Sequence, residues 1–134
     1  MEDEPAPWGT ATLLRIVDAF ALFAFVVVGI RSHHESGVAA PFLRNAVPLF
    51  VAWSGVAVAV GTYRRPSTRT LLLTWMSAVP VGLIARSLIA RSPTGGRLVT
   101  FLGVGLAFTL LFLVVGRVLA GAIGRRVLPV GPRT

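Results

Sequence analysis

Four apolar stretches, each long enough to cross a bilayer, constrain this chain more than any other feature. They run over about Thr10–Ile30, Arg44–Tyr63, Thr70–Ala90 and Leu98–Ala120. A helix needs roughly 20 apolar residues to span about 30 Å of hydrocarbon at a rise of about 1.5 Å per residue. A membrane strand needs about 10 residues and alternates apolar with polar. These stretches do not alternate, so they are read as helices. The expected fold class is all-α: a polytopic membrane protein with four transmembrane helices in a small bundle. Composition agrees, since hydrophobic residues make up 54% of the chain and charged residues 13%. A soluble domain carries about 25% charged residues. Mean hydropathy is +0.78. These figures argue against a soluble enzyme, a disordered tail or a nucleic-acid-binding module.

The breaks are equally legible. Gly37 and Pro41 interrupt Arg31–Leu43, Pro66 interrupts Arg64–Arg69, and Pro93 with Gly95-Gly96 interrupts Arg91–Arg97. No connection is long enough for a soluble domain, so residues 1–134 form one transmembrane unit. Residues 1–9 are a short N-terminal segment and 121–134 a short basic tail. The acidic start, Met-Glu-Asp-Glu-Pro, is unlike a signal peptide, and the first apolar run is expected to be a retained helix. Lys and Cys are absent, and no disulfide, thiolate ligand or lipidated Cys is expected.

The net charge of +8 comes from arginines that bracket the apolar runs. That placement fits membrane helices and the lipid bilayer as a partner, not nucleic acid. With four helices, the N-terminus, second loop and C-terminus share one side. That side takes Arg15, Arg64, Arg65, Arg69, Arg117, Arg125, Arg126 and Arg133. The other takes Arg31, Arg44, Arg86, Arg91 and Arg97. The positive-inside rule then predicts a multi-pass plasma-membrane protein with both termini cytoplasmic. Trp8 and Tyr63 suit the inner interface. Helix contacts in lipid favour small residues, which points to the Ala57/Gly61 pair and to Gly103 and Gly105.

Three groups of polar residues stand out. Asp18 lies inside the first helix, where a carboxylate costs about 2 kcal/mol or more and usually faces the bundle interior. It could carry a proton or contact a cation, or it could form a structural pair with Arg15 or Arg117. At the outer mouth of that helix, Arg31, His33 and Glu35 form a cluster with Ser32 and His34. No fourth ligand is evident and adjacent side chains diverge, so the cluster is a weak metal signal and no metal is expected. The other reading is a solvated cap, with Arg31 answering the helix dipole. In the third helix, Trp75, Gly82 and Arg86 share a face, and Pro80 removes a backbone hydrogen bond and should kink the helix. This set could frame a polar cavity or belong to a bent packing helix whose Arg86 snorkels.

The order of these motifs carries a resemblance. Gly29-x-Arg31-Ser32-His33-x-Glu35 follows a helix containing Asp18-Ala19. Pro41-Phe42 and Trp53 come next, and then Trp75-x4-Pro80-x-Gly82-x3-Arg86. From about Arg15 to Arg117 the chain resembles the small four-helix membrane proteins of actinobacteria and haloarchaea grouped as domain of unknown function 3054. His34 stands where a small residue such as Gly is expected. The resemblance implies the four-helix fold and supports Asp18, Arg31, His33, Glu35, Trp75, Pro80 and Arg86 as candidates, but supplies no substrate.

Enzyme signatures such as Gly-x-Ser-x-Gly, His-Glu-x-x-His or a phosphate-cradling loop are absent. No catalytic residue and no cofactor is expected. The leading expectation is permeation or carriage of a small polar solute or ion by a homo-oligomer. The alternative is a structural or accessory subunit docked on a membrane-protein partner.

Overall fold

A computed structural model describes residues 8–32, 37 and 39–127. Four helices follow one another: α1 (Trp8–Ser32), α2 (Ala39–Val60), α3 (Thr68–Ala90) and α4 (Gly96–Val127). All four are long and apolar enough to cross a membrane. The protein is therefore an all-helical, multi-pass membrane bundle.

The helix limits differ from the expected ones where caps decide the ends. Helix α2 starts at Ala39 rather than near Arg44, because Pro41 falls in its first turn, where a missing N–H costs nothing. The Asn45 amide Nδ2 donates to the Pro41 carbonyl at 2.6 Å. Helix α2 also stops earlier, at Val60. Gly61 takes a left-handed conformation (φ 76°), and the N–H groups of Gly61 and Thr62 both donate to Ala57 O at 3.0 Å. Gly61 is thus a helix terminator rather than the close-packing residue its spacing from Ala57 suggested. Ser67 and Thr70 form a capping box that starts α3. Helix α4 continues through Ala120 to Val127, so half of the expected tail is helical.

The helices form an antiparallel ring. Helices α2 and α3 share the most extensive contact and α1 and α4 the next, while the α1–α2 and α3–α4 seams are thinner. Among the described residues the diagonal pairs do not meet. The bundle therefore reads as two helix pairs. Gly82 explains the closeness of α2 and α3: a Cβ there would lie 2.8 Å from Leu49 Cα. In the α1–α4 pair, a Cβ on Gly116 would lie 3.2 Å from Val17 Cγ1. Of the two expected α4 glycines, Gly105 packs under Leu83, whereas Gly103 faces open space. Leu22, Leu49, Val79 and Leu113 fill the waist and are all buried. Large apolar residues also cover the outside, with Phe20 70% and Val58 78% exposed. In water such a surface would be a liability, but against lipid tails it is the compatible one.

Candidate polar sites at the two ends of the bundle

The N-terminal start of α1, the α2–α3 turn and the end of α4 lie together, and define a terminal face. The α1–α2 and α3–α4 connections define the opposite, loop face. Each end carries one polar cluster.

The cluster near the terminal face is built on Asp18, which is fully buried in α1 and is the only carboxylate among the described residues. Arg117 of α4 meets it with two hydrogen bonds, Nε to Oδ1 at 2.9 Å and Nη2 to Oδ2 at 2.6 Å. The Tyr63 hydroxyl, from the α2–α3 turn, donates to Oδ2 at 2.9 Å. Trp53 Nε1 of α2 in turn donates to the Tyr63 oxygen at 2.8 Å. The donors run one way, Trp53 to Tyr63 to Asp18, because an indole can only donate and a carboxylate only accept. Burial raises the Tyr63 pKa above its ordinary value, and the adjacent Asp18 carboxylate adds to that rise. Tyr63 therefore stays a neutral donor.

This arrangement decides between the partners considered for Asp18. Arg117 pairs with it in a fork that only a planar guanidinium can make. Arg15 does not. Its side chain is exposed, and its guanidinium carbon lies 5.6 Å from the centroid of the Tyr63 ring. The sequence alone does not point to Tyr63 as a partner of Asp18, nor to Trp53 as the donor behind Tyr63. Tyr63 is the sole tyrosine of the chain and sits just beyond α2, at a depth its hydroxyl can share with Asp18. Close by, the buried Thr62 and Thr74 hydroxyls bond to each other and join the turn to α3.

The cluster near the loop face is built on Arg86. Its Nε donates to Asn45 Oδ1 at 2.6 Å and its Nη1 to the Ser92 carbonyl at 2.8 Å. Its guanidinium carbon also lies 5.1 Å from the Phe101 ring centroid. Arg86 thus ties α3 to α2 and to the following loop rather than snorkelling into headgroups. Trp75, about three turns away on the same helix, donates Nε1 to Leu106 O at 3.0 Å and to Thr109 Oγ1 at 3.2 Å, so it faces α4. Pro80 and Gly82 lie inside α3, and Pro48, not singled out beforehand, lies inside α2 with its carbonyl beside Gly82. Arg31 is exposed in the last turn of α1. His33, His34 and Glu35 fall outside the described residues. The structure therefore brings Asp18 and Arg117 together, keeps Arg15 at their edge, and places Arg86 in a separate group. Asn45 and Trp53, one in each cluster, are eight residues apart on α2, or about 12 Å along the axis.

Two cavities accompany these clusters. One, of about 170 Å³, lies between the α1–α4 pair and α3 toward the loop face. Its wall is mostly aromatic and aliphatic, with Arg86, Asn45 and Ser32 as its polar members. The other is a cleft of about 440 Å³ between α1 and α2 toward the terminal face. The two sit in different seams and toward opposite ends, with the buried waist between them.

No curated protein and no solved structure matches the chain. The model of one family, described as Protein of unknown function (DUF3054), matches residues 15–120. That stretch takes in α2 and α3, most of α1 and α4, both polar clusters and the residues that line the two cavities, and the chain belongs to this family.

Proposed function

We propose that the protein carries a small polar solute or ion across the plasma membrane as a homo-oligomer, with both termini cytoplasmic. The observation that carries this reading is the division of the bundle into two tied pairs with a cavity in the seam. Asp18–Arg117 holds α1 to α4. The Gly82–Leu49 contact, Arg86–Asn45 and Thr62–Thr74 hold α2 to α3. Among the described residues, the contacts between the pairs include the hydrogen bonds of Tyr63 to Asp18 and of Trp75 to Leu106 and Thr109, and the Arg86 guanidinium over the Phe101 ring. A rocking motion of one pair against the other would therefore keep the strong ion pair and break the Tyr63 bond. Tyr63 acts as the latch of the terminal face, and the Arg86–Asn45 end of the loop-face cavity supplies donors to a solute entering from outside. The excess of arginines on the terminal face supports its cytoplasmic orientation.

The test is osmotic light scattering from liposomes containing the purified protein, with urea, glycerol, potassium chloride and potassium acetate as solutes. Faster relaxation than in empty vesicles for at least one solute, slowed by Arg86→Gln, is the expected result. Equal relaxation of both vesicle types for every solute would refute the carrier reading.

One observation favours the accessory-subunit reading: Gly55 and Gly103 face outward with nothing within 4 Å of a built Cβ. Small outward residues suit docking on another membrane helix. Extraction from native membranes separates the two readings, since a fixed ratio of a different protein points to an accessory subunit.

A further inference from the structure

The α1–α2 cleft plays no part in the reading above, and its chemistry is graded along its length. At the terminal-face end stand Arg15, Tyr63 and Arg64, while Leu22, Phe50 and Val58 line the remainder. From Phe50 to Gly61 the cleft follows α2 for about 16 Å. Ala19, Ser54 and Val58 are exposed along its edges, so it opens sideways onto the lipid.

Among the described residues, no carboxylate faces the charge at its head. Arg15 belongs to a membrane-spanning segment, Gly9–Ser32, yet its side chain is exposed. Its guanidinium lies over the face of the Tyr63 ring. Arg64 is exposed as well. The sole described carboxylate, Asp18, is already taken by Arg117. An arginine at membrane depth is costly unless it reaches an anion or the headgroup layer. A basic pocket between transmembrane helices with an apolar extension toward the bilayer centre matches the shape of an anionic lipid, head outward and chain inward.

We propose that this cleft seats an anionic phospholipid, with its phosphate held by Arg15 and Arg64 and one acyl chain lying along Leu22, Phe50 and Val58. The length of the apolar floor favours a lipid over a free anion, which would use only the charged head. A phosphate at Arg15 would draw the guanidinium from the Tyr63 ring, so lipid occupancy bears on the Tyr63–Asp18 bond. The inference rests on the cleft alone and stands whether or not the bundle carries a solute.

The experiment is native mass spectrometry of the full-length protein released from nanodiscs containing equal phosphatidylglycerol and phosphatidylcholine. Phosphatidylglycerol should be retained in about tenfold preference, and Arg15→Gln with Arg64→Gln should abolish the preference. Both arginines are exposed, so the double variant should fold, which circular dichroism checks. Arg91→Gln with Arg97→Gln, on the loop face, should leave the preference intact. Equal retention of the two lipids would overturn the proposal, as would equal loss in both double variants. Displacement of phosphatidylglycerol by inorganic phosphate would overturn it too, by making the ligand a free anion.

Discussion

Asp18, a candidate site residue in the sequence, joins α1 to α4 in the fold through Arg117. Its two oxygens accept three hydrogen bonds, and its side chain is shut off from solvent. Asp18→Asn keeps the shape but leaves the half-buried Arg117 charge without its carboxylate. Breaking such a pair costs about 3–5 kcal/mol. The variant should lose that much stability in chemical unfolding from detergent micelles, while Arg15→Gln, at an exposed position, should stay within about 0.5 kcal/mol of the parent. Equal losses for the two would mean that Arg15, not Arg117, neutralises Asp18. Tyr63 adds a pH-dependent term. Its pKa is raised in the folded protein above the ordinary tyrosine value of about 10. The folded form therefore holds its proton more tightly, so this contribution is complete below about pH 10 and is lost as pH rises further. Melting temperature should fall in that alkaline range and fall less in Tyr63→Phe. Parallel declines in both proteins would place the titration elsewhere. That Asp18 needs a partner was legible from a carboxylate set in an apolar run. Which partner it takes was not, because Arg15 is nearer in sequence and the helix ring alone brings Arg117 beside it.

At the scale of elements, glycine contacts set how closely the helices approach, and they divide cleanly. Gly82 sits where a Cβ would meet Leu49 backbone, which cannot yield, whereas Gly105 would meet the end of the flexible Leu83 side chain. Gly82→Ala should therefore force α2 and α3 apart and cost about 1–3 kcal/mol. Gly103→Ala meets nothing and should be neutral or stabilising by up to about 1 kcal/mol through helix propensity. Thermal unfolding of both variants in the same detergent checks the contrast, and a destabilised Gly103→Ala would reveal an intermolecular contact at that face. The four helices were legible because hydropathy and length alone demand them. Their ends were less so. Pro41 reads as a breaker until it is seen in a first turn, and Gly61 reads as a packing residue until its positive φ makes it a stop. Pairing of α2 with α3 and of α1 with α4 left no trace in periodicity, since all faces of these helices are apolar.

For the whole molecule, the question is whether the two pairs move as bodies. The absence of cysteine makes this directly accessible, because an introduced pair has no competitor. A built Cβ on Gly116 lies beside Val17 within the α1–α4 pair, and one on Gly105 lies beside Leu83 across the α3–α4 seam. Both sites bring side chains close enough for a disulfide to be tried. If solute passes by rocking of the pairs, Leu83→Cys with Gly105→Cys should stop flux on oxidation and regain it on reduction. Val17→Cys with Gly116→Cys should leave flux unchanged in both states, because it links helices that Asp18–Arg117 already holds together. The same liposome light-scattering measurement reads both. Full flux through the oxidised cross-seam variant would show that the pairs need not separate there. The loop-face cavity would then be a static pocket, and passage would have to run between protomers. A block by both disulfides would instead show that α1 and α4 must slide, which would make the Asp18–Arg117 pair a moving part rather than a tie.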